Sequence, residues 1–555
     1  MESIHDSNRS SRPPEFPASE EGHLNWKVGR EEISILACLA IISLMVALDA
    51  TIISPVLPVL STDLNADTNQ SFWAGTSYLL SCAVLQPLIV ALSDVFGRRG
   101  LLFISLVFFT VGTVVCCISN NMTQLLAGRT IQGVGGGGII CLNGIITADI
   151  LPLRQRPAYT TILQLAFAIG TITGPVIGGL LVQHGTWRWV FYINFPFAGA
   201  GLIIAPFVVK LDAPYRGLKQ RMKRIDWVGG FLFIGSMSSF SIGITWGGIE
   251  FPWSGWQTLL PICLGIVGII GTVKWLKHAK HPFLHLVLFR DVSSVGGYIC
   301  AFLQGLMMSC ELYSIPLYLE GPKRLSLTIT GVGLMPITVS LVPVSIAASL
   351  VMTRSGHIRW AIWSGWVVTA ISSGLLILLD INTRTYAWVL IFLVLGIGQG
   401  LILVSCSFYV QALADAEESS FAASMYAFFR SVGMCMGVAI CGTVLQNQLR
   451  HQLEIRQLPL DIANDAQAFI FSSNTSSLSA SYLRDIYEAY IESLKTVFET
   501  LLGVAGFGII ISLFMKPVDM NKQLATAHVL RKKTSSKSND NSNNSGTINE
   551  QGSTV

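Results

Sequence analysis

The residues best suited to chemistry in this sequence are charged side chains inside long apolar segments. Asp49 lies in the first such segment, and Arg129 lies in the fourth with Gln132 one turn further along. A charge in the hydrocarbon interior of a membrane costs about 2.5–3.5 kcal/mol on insertion scales, so each group needs a partner or a polar cavity. Asp49 is either a carboxyl that binds and releases a proton or a hydrogen-bonded residue with a packing role. Glu311 is the deepest acid of the second half.

The elements that must position these groups are membrane-spanning helices. The chain has 555 residues, of which 51% are hydrophobic and only 12% are charged. A soluble protein has roughly twice that share of charged residues, so we predict an all-α polytopic membrane protein. All eleven cysteines lie in apolar segments, which argues against an extracellular disulfide framework.

A helix needs about 20 apolar residues to cross the hydrocarbon core. By this criterion the sequence predicts fourteen spans. They cover approximately 33–60, 71–94, 100–119, 123–149, 157–183, 188–209, 227–249, 257–276, 295–320, 329–353, 360–380, 386–413, 420–446 and 496–515.

The distribution of basic residues predicts the orientation. If the N-terminus is cytosolic, most of the 36 Lys and Arg residues fall in cytosolic segments, and the run 210–224 is the strongest contributor. Cytosolic loops are enriched in these residues, so we expect both termini in the cytosol. The polar tails, 1–32 and 517–555, are expected to be disordered.

Three glycosylation sequons fall on the predicted outer side of the membrane. They begin at Asn69, Asn121 and Asn474. Asn474 is the most plausible acceptor because it lies in a long predicted outer loop, 447–495. Outer sequons favour the plasma membrane, and the vacuolar membrane is the alternative location.

A glycine-rich stretch, GTITGPVIGGL, organises the fifth predicted span. Gly170, Gly174 and Gly178 recur every four residues and therefore share one helix face, which lets a neighbouring backbone approach closely. Pro175 removes a backbone donor, so a bend is expected there, and Gly179 adds further freedom. Taken alone, the stretch is typical of a packing face.

A short basic connection, LSDVFGRRG, joins the second and third predicted spans. It holds Asp94, Gly97, Arg98 and Arg99. The glycine permits a tight turn, and Asp94 can pair with an arginine or with a helix N-terminus. A basic loop that only sets the topology is the other interpretation.

In the second half, two polar residues accompany Glu311. Gln411 follows a glycine-rich segment, and Arg430 lies within FFRSVG. An arginine at this depth needs acceptors or a counter-ion, and the sequence does not indicate which.

These stretches together resemble the major facilitator superfamily, and within it the fourteen-spanner drug:proton antiporter branch of fungal toxin and multidrug efflux. LSDVFGRRG is similar to the superfamily's loop motif, GRTIQG to its fourth-helix arginine motif, and GTITGPVIGG to its antiporter motif. ALDATIISPVLP, TWRWVFYINFP and FFRSVG are similar to further signatures of the branch. The resemblance covers about 33–516.

The resemblance implies the major facilitator fold, with two six-helix bundles and two extra linking spans. The bundles would be 33–209 and 291–516, and the extra spans would lie within 210–290 together with a basic loop. It also implies that Asp94, Arg98 and their neighbours form a gating loop.

We therefore expect a proton-coupled secondary transporter that exports small apolar or amphipathic organic molecules. Its partners would be the cargo, protons and the lipid bilayer, with no nucleic acid and no cofactor, and it would be a monomer. One alternative is a vacuolar transporter of basic amino acids or siderophores on the same fold. Another is a non-transporting membrane sensor. The sequence has no HExxH, no CxxC and no phosphate loop with its lysine, so no enzymatic activity is expected.

Overall fold

A computed structural model describes most of the chain. In the described part the backbone is helical, with one isolated bridge between Gly247 and Phe251 and no strand. The prediction of an all-helical membrane protein is therefore confirmed. The described residues are 29–53, 56–64, 68–152, 155–211, 222, 224–248, 251–415, 418–464, 469 and 479–518.

The first bundle is formed by the helices that precede residue 210. They are α1 (Arg30–Ile52), α2 (Leu57–Asp63), α3 (Thr68–Val84), α4 (Gln86–Phe96), α5 (Arg98–Cys117), α6 (Met122–Ile150), α7 (Arg156–His184), α8 (Trp189–Tyr192) and α9 (Asn194–Val208).

Two linking helices and the second bundle follow. The linking helices are α10 (Trp227–Trp246) and α11 (Trp256–Leu276). The second bundle contains α12 (Val292–Glu320), α13 (Leu327–Ser355), α14 (Arg359–Leu376), α15 (Thr385–Leu413), α16 (Ser419–Ile455), α17 (Asp461–Asn464) and α18 (Ala480–Leu513).

The described residues contain 12 helices long and apolar enough to cross a membrane, or 13 when the pair Trp73–Val84 and Gln86–Phe96 counts as one span bent by 45°. The predicted span 360–380 coincides with α14, which is not among them. The number of fourteen spans therefore remains a prediction, and the positions of the helices are compatible with it.

The two linking helices occupy the positions of the two extra spans. They pack against each other, and α10 also contacts α3 of the first bundle and α16 of the second. At the far end of α10, Thr443 donates a hydrogen bond to the carbonyl oxygen of Gly247 at 3.1 Å. Helix α10 thus borders both bundles.

One end of the first bundle is closed by an apolar cap, which we name the Trp187 end. Trp187, Phe191 and Leu60 are buried there beside the ends of α1 and α5. The Trp187 indole donates a hydrogen bond to Asp63 at 3.0 Å. The opposite end, where Arg98 lies, is named the Arg98 end.

Both flanks of the predicted loop 447–495 are helical. Helix α16 continues to Ile455, and α18 begins at Ala480 and runs without a break into the last apolar segment. Leu449, Leu453 and Ile486 from these extensions are buried in one small cluster. Asn474 lies outside the described residues.

Glycines bring α7 into close contact with α1. A Cβ atom on Gly170 would lie 2.5 Å from the carbonyl oxygen of Leu44 and 2.9 Å from the Cβ of Ala47. A Cβ on Gly174 would overlap the Thr51 hydroxyl. Because real Cβ atoms do not approach other atoms this closely, side chains here would separate the two helices.

We expect Gly170→Ala to lower the stability of the protein by about 1–3 kcal/mol, since overpacking forces the backbones apart. Thermal unfolding of the purified protein in detergent measures this. Gly235→Ala is the matched control, because a Cβ there meets no atom within 4 Å. Equal stability of the two variants would contradict the close α1–α7 contact.

Candidate functional site

Asp49 is held inside the first bundle by side chains from two other helices. Arg129 Nη1 donates to Asp49 Oδ2 at 2.7 Å, which also makes an ion pair. Gln132 Nε2 and Asn194 Nδ2 both donate to Oδ1, at 2.8 Å and 2.7 Å. The Asp49 side chain is 0% exposed and that of Arg129 is 1% exposed. The carboxylate is therefore stabilised by one cation and two amides, out of contact with solvent.

Arg129 makes further contacts within the same cluster. Nη1 also donates to Gln132 Oε1 at 2.8 Å, and Nε donates to the carbonyl oxygen of Ala74 at 3.1 Å. The guanidinium lies 4.3 Å from the centre of the Tyr78 ring. Nη2 is buried and has no hydrogen-bond partner. Two of the three guanidinium nitrogens of Arg129 thus have acceptors, and Nη2 has none.

The glycines of α6 allow α3 to reach this cluster. A Cβ on Gly133 would overlap the Ser81 hydroxyl, and a Cβ on Gly136 would lie 2.6 Å from the Tyr78 hydroxyl. Side chains at these positions would push α3 away from α6. The glycine-rich run after Arg129 therefore serves close packing in a helix and not a phosphate-binding loop.

The structure brings together three of the four predicted coupling residues. Asp49, Arg129 and Gln132 form one cluster, whereas Glu311 lies in the second bundle. Sequence reasoning missed Asn194, although it is the polar residue in the middle of an otherwise apolar stretch. It begins α9, directly after the short helix α8, and this turn directs its amide at Asp49.

In the second bundle, Glu311 and Arg430 are connected through two glutamines. Arg430 Nε donates to Gln304 Oε1 at 3.0 Å, and Gln304 Nε2 donates to Gln399 Oε1 at 3.1 Å. Gln399 Nε2 then donates to both oxygens of Glu311, at 3.1 Å and 3.2 Å. Arg430 Nη2 also contacts Met308 Sδ at 3.2 Å. The partners of Arg430, which the sequence does not indicate, are therefore Gln304 and Met308.

Two cavities lie between the bundles in the part of the chain that the structure describes. The first, an open cleft with about 670 Å³ of space that includes its open mouth, is bordered by α7 of the first bundle and by α12, α13, α15 and α16 of the second. The second has about 790 Å³ of such space and lies nearer the Arg98 end. Three side chains line both cavities, namely Gln164, Phe167 and Arg430. Glu311 lines the first cavity, whereas Asp49 lines neither.

The predicted gating loop forms a charged cluster at the Arg98 end. Arg98 makes an ion pair with Asp94 and a second with Asp149, in which Nε lies 3.0 Å from Oδ2. Gly97 has a φ of 93°, which favours glycine at the turn. Arg99 is exposed and outside this cluster. Asp149 was missed because it lies at the end of α6, far from the loop in sequence.

Polar contacts join the two bundles at the Arg98 end. Ser420 Oγ donates to Asp149 Oδ1 at 2.6 Å. Arg156 Nη1 donates to Gln411 Oε1 at 3.0 Å and to Ser419 Oγ at 2.5 Å. Gln411, identified in the sequence without a partner, therefore contacts the first helix turn of α7.

The remaining predicted residues lie in the following places. Gly178 and Gly179 are buried in α7, and Pro175 lies inside that helix. Asn121 caps α6 by accepting a hydrogen bond from the Gln124 amide at 2.8 Å. Asn69 belongs to the first turn of α3. Among the described residues, no group of three or more His, Cys, Asp or Glu side chains is arranged to hold a metal ion.

The comparison with family models matches residues 39–438 to the Major Facilitator Superfamily. The chain belongs to this superfamily. It is therefore a multi-pass membrane transporter by family, and the recognition made from its motifs is confirmed.

Related sequences and structures agree with this assignment. "MFS transporter L2" of Phoma sp. is 37% identical over 93% of this chain and 87% of its own length. "Efflux pump FUS6" of Gibberella moniliformis is 31% identical over 90% of each chain. The human organic anion transporter MFSD10 is similar in fold, with a TM-score of 0.56 at 15% identity over 87% of this chain and 100% of its own.

We expect Arg129→Met to destabilise the protein by about 3–5 kcal/mol, because it leaves a buried carboxylate without its cation. The double variant Asp49→Asn with Arg129→Met should recover most of this loss, because both charges are then absent. Thermal unfolding of the four proteins in detergent gives the coupling energy. Additive effects of the two substitutions would contradict an energetically important ion pair.

Proposed function

We propose that the protein is a proton-coupled secondary transporter that exports small apolar or amphipathic organic molecules by alternating access. The observation that carries the proposal is the Asp49 carboxylate, held by three donors in a sealed cluster beside α7. The efflux names of the fungal relatives support export.

Protonation of Asp49 is the step that would move the helices. A proton on the carboxyl group removes its negative charge and therefore its ion pair with Arg129. Arg129 would keep Gln132 Oε1, the Ala74 carbonyl oxygen and the Tyr78 ring as partners. The contact of α1 with α6 and α9 would weaken, whereas that of α6 with α3 would persist.

A direct route connects this change to the cargo cavity. The turns of α1 that precede and follow Asp49 contact Gly170 and Gly174 of α7. On the same part of α7, Phe167, Ala168 and Thr171 line the first cavity. A shift of α1 would therefore be passed to the cavity wall through a contact to which α7 contributes only glycine backbone.

The chemistry of the first cavity supports a largely apolar cargo. The apolar part of its wall consists of aliphatic side chains, Met308 and the ring of Phe167. Such a pocket discriminates weakly among apolar ligands, since one methylene changes binding by only about 1–3 kcal/mol. The polar members of its wall are Gln164, Thr171, Glu311, Thr338, Gln399 and Arg430.

Opening towards the Arg98 end would require its inter-bundle contacts to break. The bonds of Ser420 to Asp149 and of Arg156 to Gln411 join the bundles there. Since Arg98 also pairs with Asp149, the loop would influence this opening through the shared carboxylate. We propose that these residues form the gate of the transport cycle.

We further propose a plasma-membrane location, a monomer and cytosolic termini. The concentration of Lys and Arg on one predicted side of the membrane supports the orientation, which places the Arg98 end towards the cytosol.

We predict that Asp49→Asn abolishes proton-driven export but leaves the protein folded, because asparagine has the size of the carboxyl group and keeps one acceptor oxygen for Gln132 and Asn194, but has no titratable group. The protein is reconstituted in proteoliposomes, a pH gradient is imposed, and movement of apolar toxins is followed together with proton flux. Lysine and arginine serve as hydrophilic comparison cargoes.

Glu454→Gln is the matched control, because Glu454 is an exposed acid outside the cluster. It should transport as the unmodified protein does. Gradient-driven export by Asp49→Asn at the normal rate would exclude Asp49 as the proton carrier. Movement of lysine in place of toxins would refute export of apolar cargo.

A further inference from the structure

Arg430 is a cation surrounded by neutral partners. Its Nε and Nη2 are bound by an amide oxygen and a thioether sulfur, and its guanidinium lies 5.8 Å from the centre of the Phe167 ring. Within the described residues, no carboxylate oxygen lies within 4.0 Å of it. A guanidinium in apolar surroundings is stabilised far more by an anion than by neutral groups.

The acid that could neutralise Arg430 is held away from it. Glu311 accepts both of its hydrogen bonds from Gln399, and Gln304 separates Gln399 from the guanidinium. The amides are aligned so that each donates towards Glu311 and accepts from the direction of Arg430. Glu311 and Arg430 therefore lie in the same bundle without forming an ion pair with each other.

The backbone packing fixes Arg430 in this position. A Cβ on Gly305 would overlap the carbonyl oxygen of Arg430, and a Cβ on Gly433 would overlap that of Phe302. Helices α12 and α16 therefore touch along their backbones at the arginine. The backbone of Arg430 cannot shift along α12 without disturbing this contact.

Arg430 also lies where a ligand can reach it. It lines both cavities between the bundles, and its Nη1 has no acceptor in the part of the chain that the structure describes. Phe167, beside it, belongs to the first bundle. Arg430 therefore lies, with one nitrogen unused, at the interface that the proposed cargo would occupy.

We propose that Arg430 binds the anionic head group of the cargo, so that the preferred substrates are amphipathic organic monoanions such as carboxylates or ionised enols and phenols. The inference rests on the proposed function and specifies its substrate class. The apolar body of the cargo lies against the aliphatic wall of the first cavity, which includes Ile172, Leu334 and Leu341. An organic cation would instead be repelled by Arg430.

The test compares two ligands of the same shape. Binding of 1-naphthylacetate and of its neutral amide, 1-naphthylacetamide, is measured in detergent by ligand-induced thermal stabilisation. The unmodified protein should bind the anion about tenfold more tightly or better, the size expected of a charge-assisted bond. Equal affinity for the two ligands would refute the proposal.

Two variants locate the preference. Arg430→Gln removes the charge, and Gln304→Glu places a carboxylate of nearly the same shape where the amide now accepts from Arg430 at 3.0 Å. Both should bind the two ligands equally, and the second stays informative if the first does not fold. Arg384→Gln, an exposed arginine, should keep the preference. Retention of the preference in a folded Arg430→Gln or Gln304→Glu protein would also overturn the proposal.

These outcomes are separable from those of the transport assay because binding in detergent needs no gradient. Proton-driven export of neutral toxins without anion preference would refute only this inference. Anion preference without proton-driven movement of any cargo would refute only the proposed coupling.

Discussion

The structure of the first bundle depends on the buried ion pair between Asp49 and Arg129. Two charges taken out of water are tolerated only when they meet in good geometry and their remaining hydrogen-bonding groups are satisfied. Here that requires α1, α6 and α9 to converge within hydrogen-bonding distance, with Asn194 and Gln132 completing the shell around the carboxylate. The glycines of α6 follow from the same requirement, because α3 reaches the cluster only where side chains are missing.

The second bundle also contains a buried acid, an arginine and glutamines, but its acid and arginine do not form an ion pair. In the first bundle a glutamine, Gln132, contacts both members of a direct ion pair. In the second, two glutamines lie between Glu311 and Arg430 and keep the charges apart. The first arrangement satisfies its charges internally and is sealed, whereas the second leaves a cation at a cavity between the bundles. This difference assigns proton handling to the first bundle and recognition of the cargo to the second in our account.

The sequence alone was sufficient for the fold and for part of the site. Charges in apolar segments are costly enough that Asp49 and Arg129 had to be partnered, and the spacing of Arg129 and Gln132 placed them on one helix face. Asn194 and Asp149 could not be identified in this way. Their roles arise where helices distant in the chain meet, and hydropathy or spacing within one segment does not encode such contacts. The partner of Arg430 was undetermined for the same reason, since Gln304 is 126 residues away.

Protonation of Asp49 can be observed directly by infrared spectroscopy. Infrared difference spectra of the purified transporter would be recorded on acidification and again after addition of cargo, for the unmodified protein and for Asp49→Asn. We predict that the carbonyl stretch of protonated carboxyl groups that appears on acidification includes a component that cargo reverses and that is missing from the variant. Identical spectra for the two proteins would contradict the claim that Asp49 exchanges its bond to Arg129 for a proton.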